Sequence, residues 1–284
     1  MPNRTQNLLF TLYGDYLQHR GGEAWVGSLI EIMSCFGASD QAVRSTLSRM
    51  SSRGWFRTRQ HGRNSYYSLT PKGAVLLREG VQRIFHPRKD PWDGKWLVVI
   101  YQIDEKQREL RNRLRERLAW LGFGRLNQST WISPHDCRQD VEVVLDELQV
   151  RRYVETFYGV RHGRTSDREI VERCWNTKAL TKKYAEFISR YEPQYQSMLA
   201  EPDLDSSREH FTRRFELIHE YRQLPYIDPN LPADLLPDDW LGDRAQELFQ
   251  SYHSLLTRKA EAFVDDLLIE APAIDKLLGE AVTA

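Results

Sequence analysis

A segment with two chemically different faces, residues 39–50, constrains what this chain can fold into more than any other feature. At about 100° per residue, one stripe of a helix over this segment is polar and cationic, formed by Gln41, Arg44, Ser45 and Ser48. The opposite stripe can face a core and is formed by Val43, Thr46, Leu47 and Met50. The polar stripe has the chemistry that contacts base edges and phosphates in a DNA major groove. The pattern therefore predicts either a DNA-recognition helix or an ordinary amphipathic surface helix.

The elements predicted on either side of this segment favour DNA recognition. They are helices over Asn7–His19, Trp25–Phe36, Ser39–Arg53 and Pro71–Phe85, and strands over Trp55–Arg59 and Tyr66–Leu69. Ser39 is a good N-cap for the third helix, and the turn between the two strands is polar and contains Gly62. Helices followed by a two-stranded hairpin in this order predict a winged helix-turn-helix domain.

The candidate DNA-contacting residues lie on the third helix and on the basic hairpin. They are Ser39, Gln41, Arg44, Ser45, Ser48, Arg49, Arg57, Arg59, His61, Arg63 and Asn64. Arg44 and Arg49 suit guanine or phosphate, and Gln41 suits adenine. The positively charged hairpin tip can reach phosphates or a minor groove.

The rest of the chain predicts two further domains. Strands over Lys95–Ile103, Thr130–Ile132 and Tyr153–Val160, with room for one more near Phe123–Leu126, alternate with helices over Glu105–Leu121 and Val141–Leu148. This order favours a ferredoxin-like α/β domain after a proline-bounded linker at 86–91. From Asp167 onward the sequence is typical of helices, two of them long, at about 206–223 and 240–268. We predict an α+β chain with domains at 1–88, 92–175 and 176–284, the last of them a dimerisation and effector domain.

The net charge of zero conceals a gradient along the chain. Residues 1–90 carry a net charge of +7, residues 91–194 of +3 and residues 195–284 of −10. The basic first third indicates a polyanionic partner. No apolar run approaches the roughly 18 residues of a membrane-spanning helix, and the first residues lack the features of a signal peptide. We therefore expect a cytoplasmic protein without a membrane partner.

Signals for catalysis or metal binding are weak. Three widely spaced cysteines predict free thiols, and the zinc-protease, phosphate-loop and dinucleotide-binding motifs do not occur. Asp104 follows a predicted strand, where a carboxylate could serve a metal-dependent nuclease or simply stabilise the fold. The tryptophans of residues 92–175 could form a pocket for a flat ligand or simply a core. We predict no catalytic residues, no metal and no cofactor, and leave the ligand-binding residues unassigned.

Several stretches of the sequence resemble the PaaX-type repressors of phenylacetic acid catabolism. They are Leu12–Asp15, His19–Trp25, Gly27–Leu29, Val43–Arg49, Gly54–Trp55, Tyr67–Gly73, Trp92–Trp96, Gly122–Gly124, Cys174–Trp175 and Asp228–Trp240. The resemblance covers nearly the whole chain, and its YGD, HRGGE and WDGKW motifs together are specific.

The resemblance implies a bacterial repressor with a winged-helix domain, a ferredoxin-like middle domain and a helical C-terminal domain. It also implies a homodimer on palindromic double-stranded operator DNA, released by the effector phenylacetyl-CoA. A different aryl- or acyl-CoA effector remains an alternative, and a metal-dependent nuclease is a less favoured one. The resemblance assigns no effector residues.

Overall fold

The structure of the chain, a computed structural model, describes residues 4–85, 91–201 and 205–269. It has the predicted mixed α+β composition with a helical C-terminal region. The chain divides into two compact units. Unit 1 comprises residues 1–85, 193–221 and 249–284, and unit 2 comprises residues 86–192 and 222–248. No helix among the described residues is both long and apolar enough to span a bilayer.

Eleven α-helices and seven strands are formed by the described residues. The helices are α1 (Arg4–Asp15), α2 (Val26–Ser34), α3 (Asp40–Ser52), α4 (Pro71–Phe85), α5 (Arg108–Trp120), α6 (Arg138–Leu148), α7 (Asp167–Cys174), α8 (Thr177–Ala200), α9 (Ser207–Tyr221), α10 (Gln223–Ile227) and α11 (Gly242–Leu267). The strands are β1 (Glu23–Trp25), β2 (Phe56–His61), β3 (Asn64–Leu69), β4 (Trp96–Tyr101), β5 (Gly124–Arg125), β6 (Thr130–Ser133) and β7 (Val154–Gly159). The predicted linker at 86–91 lies outside the described residues except for Pro91.

Unit 1 contains an antiparallel sheet in the order β1-β3-β2. Strand β1 was not predicted, because its three residues are too few to show a period, and Trp25 was assigned to the second helix. In the structure Trp25 is extended, at φ −66° and ψ 138°, and pairs with Tyr66 of β3. Helix α2 therefore begins only at Val26. Pairing with a distant strand outweighs the helical pattern of the sequence.

The core of unit 1 joins both ends of the chain. Leu9, Leu29 and Leu47, from the three N-terminal helices, are fully buried in it. The C-terminal helices contribute Phe211, Phe215, Ala260 and Val264 to the same cluster. Residues that the sequence places at opposite ends of the chain thus share one apolar core.

Unit 2 contains a four-stranded sheet in the order β5-β6-β4-β7, with every neighbouring pair antiparallel. Alternate residues of a strand point to opposite faces. Leu97 and Val99 of β4 pack in a core with Leu114 of α5 and Val144 of α6, whereas Trp96 belongs to a second core on the other face. The extra strand predicted near Phe123–Leu126 is confirmed as β5.

Candidate nucleic-acid interface

Helix α3 follows α2 after a tight turn. Gly37 in this turn has a φ of 73°, a conformation that glycine adopts without steric cost. Ser39 is extended, and its Oγ accepts a hydrogen bond from the Ala42 N–H at 3.2 Å, which satisfies one of the free donors at the helix start. Asp40 in the first turn is favourable for the helix dipole. Local sequence therefore fixes where α3 begins.

The two predicted faces of α3 are confirmed by burial. The residues on its inner face are all buried: Val43, Thr46, Leu47 and Met50. The residues predicted on its outer face are all exposed: Gln41, Arg44, Ser45 and Ser48. Arg49, beside this stripe, is exposed as well and extends the outer face. The helix thus presents a continuous row of hydroxyl, amide and guanidinium groups to solvent.

Within the described ranges, the two arginines of this outer face contact only neighbours on their own helix. Arg44 Nε lies 2.5 Å from Asp40 Oδ1, in an ion pair whose side chains are both more than half exposed. Arg49 Nη2 donates to Thr46 Oγ1 at 3.1 Å. The exposed Arg44–Asp40 pair is weak and easily exchanged, and Arg49 is itself exposed with a single hydrogen bond to a neighbouring hydroxyl. Both guanidinium groups can therefore turn to a ligand at little cost.

The hairpin β2–β3 carries the other predicted contact residues. Its two-residue loop is Gly62-Arg63, and Gly62 has a φ of 58°, as a type II′ turn requires at its first position. His61, Arg63 and Asn64 are exposed at this tip. The tip is therefore a small polar and cationic surface.

Arg57 and Arg59 are held against the sheet rather than at the tip. Arg57 Nε donates to Ser68 Oγ at 2.9 Å. Arg59 makes a two-pronged contact with Glu23 of β1, in which Nε donates to Oε1 at 3.1 Å and Nη2 to Oε2 at 2.6 Å. The guanidinium of Arg59 also lies over the Tyr66 ring, 5.3 Å from its centroid. Arg59 therefore links the two outer strands of the sheet across β3.

The hydrogen bonds from Arg59 lower the pKa of the Glu23 carboxyl. A lowered carboxyl pKa stabilises the folded state above the ordinary carboxyl pKa. This stabilisation is lost as the pH falls through the lowered value. Sequence reasoning gave Glu23 no role of its own, although a lone acid near a hairpin of arginines was a usable signal.

Aromatic side chains from the C-terminal part of unit 1 pack against the turn between α2 and α3. Phe36, just after α2, lies 4.3 Å from Phe215 and 5.6 Å from Phe211, measured between ring centroids. Phe211 also contacts Tyr16, with centroids 5.5 Å apart. The position of α3 therefore depends on side chains of α9.

A buried polar cluster lies in the same unit. Arg214 Nη2 lies 3.2 Å from Asp15 Oδ1, and His253 Nε2 lies 3.0 Å from the same oxygen. The side chains of Arg214 and Asp15 are only 4% and 8% exposed. The guanidinium also lies 4.8 Å from the centroid of the Tyr16 ring. Polar contacts as well as apolar packing thus link helices α1, α9 and α11.

In unit 2 the structure favours the core interpretation for two of the tryptophans. Trp96 and Trp131 are both buried in apolar clusters, and the Trp96 Nε1 donates to Asp167 Oδ1 at 3.1 Å. The Asp104 carboxylate accepts a hydrogen bond from the Lys106 N–H at 2.9 Å and so caps a short turn. Within the described part of the chain, no group of three or more His, Cys, Asp or Glu side chains is placed to hold a metal ion.

Comparisons with known proteins match three successive segments of the sequence, which together span most of the chain. Residues 4–73 match the family described as PaaX-like protein, and residues 89–171 match the PaaX protein central Cas2-like domain. Residues 175–266 match the PaaX-like protein C-terminal domain. The chain is 33% identical over 269 residues to the Transcriptional repressor PaaX of Escherichia coli (strain K12), which covers 94% of this chain and 84% of the relative. The chain belongs to the PaaX family.

A solved structure shares the fold of this PaaX-family chain. It is the Uncharacterized protein Rv0674 from Mycobacterium tuberculosis, with a TM-score of 0.59 and 19% sequence identity. The match covers 92% of this chain and 96% of the other. All the residues predicted to contact DNA lie within 39–64, inside the first segment that matches the PaaX family.

Proposed function

We propose that this chain is a DNA-binding transcriptional repressor whose residues 1–88 form a winged helix-turn-helix domain. Helix α3 would be the recognition helix and the β2–β3 hairpin the wing. The observation that carries the proposal is the wholly polar, exposed outer face of α3 on a helix whose other face is buried. Membership of the PaaX family, with a curated relative named as a transcriptional repressor, supports it.

The remaining domains complete the proposal. The βαββαβ order of unit 2 and its β5-β6-β4-β7 sheet support a ferredoxin-like domain at 92–175. Residues 176–284 would form the dimerisation and effector domain of a cytoplasmic homodimer on a palindromic operator. The effector would be phenylacetyl-CoA or, as the alternative, another aryl- or acyl-CoA. A nuclease is not favoured, since the curated relative is a repressor.

Replacing Arg44 by alanine tests the recognition helix. If Arg44 makes a bidentate base contact, operator binding should weaken by ~1–3 kcal/mol, and discrimination at one base pair should relax. Band-shift titration against the DNA upstream of the phenylacetate-degradation genes measures this. Arg78→Ala, an exposed arginine on α4, removes the same charge from unit 1 and should change binding little. Equal losses in the two variants would reduce the role of Arg44 to its charge.

The effector is tested with the wild-type complex. Phenylacetyl-CoA should release the DNA, whereas free phenylacetate should not. A complex that ignores phenylacetyl-CoA but responds to another CoA ester would favour the alternative effector. A complex that ignores all of them would remove the effector from the proposal.

The two wing arginines Arg63 and Arg59 should behave differently in salt titrations. Arg63→Ala removes an exposed tip cation, so it should weaken operator and random DNA alike and reduce the salt slope of log K by about one. Arg59 is engaged by Glu23, so Arg59→Ala should leave the salt slope unchanged and act only through the shape of the hairpin. Equal reductions of the slope would show that Arg59 leaves Glu23 for a phosphate.

A further inference from the structure

Unit 2 contains a guanidinium, that of Arg222, for which the described residues supply no hydrogen-bond or ion-pair partner. Arg222 is half-buried, and its Nε is enclosed without a hydrogen-bond partner in the part of the chain that the structure describes. Among the described residues, no ion pair or hydrogen bond to this side chain is formed. Burial lowers the pKa of Arg222, and the one opposing influence is the Tyr226 phenol rather than a carboxylate. A partly desolvated cation without a counter-charge is costly, so proteins seldom keep one without a use for it.

Two exposed aromatic rings lie beside this arginine. Trp120 is 40% exposed and Tyr226 is 41% exposed, and their ring centroids are 5.7 Å apart. Arg222 has helical backbone angles, φ −55° and ψ −22°, and leads directly into α10. Residues four apart on a helix lie on one side, with Cβ atoms about 5–6 Å from each other. Arg222 and Tyr226 therefore share a face, and Trp120 adjoins that face.

The two segments that carry these rings are packed firmly together. A Cβ atom added to Gly122, just after Trp120, would lie 3.2 Å from the Pro229 carbonyl oxygen. Asp228 accepts hydrogen bonds from the Tyr184 hydroxyl at 2.5 Å and from the Asn230 N–H at 2.7 Å. The Asp228 carboxylate is thus satisfied by other groups. The surface around Arg222 is accordingly formed before any ligand arrives.

We propose that Arg222, Tyr226 and Trp120 form a binding site for a flat aromatic ring that carries a phosphate group. A guanidinium matches phosphate oxygens with two parallel hydrogen bonds, and exposed indole and phenol rings stack on a base. The adenosine 3′,5′-bisphosphate portion of a coenzyme A ester has both parts. The assignment of this site to an effector rests on the function proposed above, whereas the binding chemistry does not.

Calorimetric titration of the full chain with adenosine 3′,5′-bisphosphate tests the site, with inorganic phosphate and phenylacetate as partial ligands. We expect one bound nucleotide per chain and much weaker binding of either partial ligand. Trp120→Ala should weaken nucleotide binding by roughly 5- to 150-fold, the range of a lost base–aromatic stack. Arg222→Met should weaken it by about tenfold or more, since a charge-assisted contact is lost.

Matched variants separate the site from general effects. Arg164→Met removes an exposed arginine of unit 2, and Ile227→Ala removes a half-exposed apolar side chain of α10. Both should keep wild-type affinity. Arg222→Met should also raise or preserve the thermal stability of the unliganded chain, because it removes an uncompensated charge. A large loss of stability would show that the guanidinium has a structural role.

The outcomes distinguish the site from the proposed function. Nucleotide affinity that is unchanged in both Arg222→Met and Trp120→Ala, or no nucleotide binding at all, would overturn the site. If phenylacetyl-CoA released DNA from the Arg222→Met protein at wild-type concentrations, the repressor would stand and the assignment of this site to the effector would fail. If the nucleotide bound through Arg222 but no CoA ester released DNA, the site would stand and the effector proposal would fail.

Discussion

Replacing Phe215 by alanine should lower the free energy of unfolding of unit 1 by about 3–5 kcal/mol. Phe215 is fully buried, and its ring contacts Phe36 and Phe211 at centroid distances of 4.3 and 5.5 Å. The truncation removes a large apolar side chain and leaves a cavity that its neighbours fill only in part. Because Phe36 lies at the turn before α3, the loss should also loosen the proposed recognition helix.

Hydrogen exchange of the full chain, read by mass spectrometry, locates this effect. Amides of α1, α2 and α3 should exchange faster in Phe215→Ala, although the substituted residue lies far away in the sequence. Phe157→Ala in unit 2 is the control, since the Phe157 side chain is 57% exposed. Unchanged protection of α1–α3 would contradict the shared core. An N-terminal fragment that was as stable as unit 1 would contradict it equally.

Replacing Arg214 by methionine should cost a similar amount, about 3–5 kcal/mol. Methionine retains much of the apolar volume, so the cost comes mainly from charge. Asp15 would lose its guanidinium partner while it remained buried, and its second carboxylate oxygen has no hydrogen-bond partner among the described residues. The contact of the guanidinium with the Tyr16 ring would be lost as well.

A double-variant cycle checks this explanation. Adding Asp15→Asn to Arg214→Met removes the buried carboxylate charge that has lost its guanidinium partner. The double variant should therefore be more stable than the sum of the two single losses predicts. Urea titration of the full chain, followed by exchange of the α1 and α9 amides, supplies the comparison. Arg208→Met, an exposed residue of the same helix, should have little effect. Strictly additive losses would show that Arg214 acts through packing alone.

The sequence by itself determined the elements that local periodicity controls. The two faces of α3 follow from the 3.6-residue repeat, and burial of Val43, Leu47 and Met50 confirms them. The hairpin follows from short β-rich runs around Gly62, whose conformation closes the turn. The alternating strands and helices of unit 2 were predicted on the same basis. In each case neighbours along the chain suffice to select the element.

Only the tertiary structure decided which of these elements act together. Arg214 and Asp15 are 199 positions apart in sequence, and Arg59 and Glu23 are 36 apart. No local sequence pattern predicts either ion pair. A pair between distant segments depends on how the chain folds back and not on the spacing of the two residues in the sequence. For the same reason the sequence showed Arg59 only as one more wing cation and did not distinguish Arg222 from the other arginines. Periodicity selects the face that a residue occupies, but the fold selects its partner.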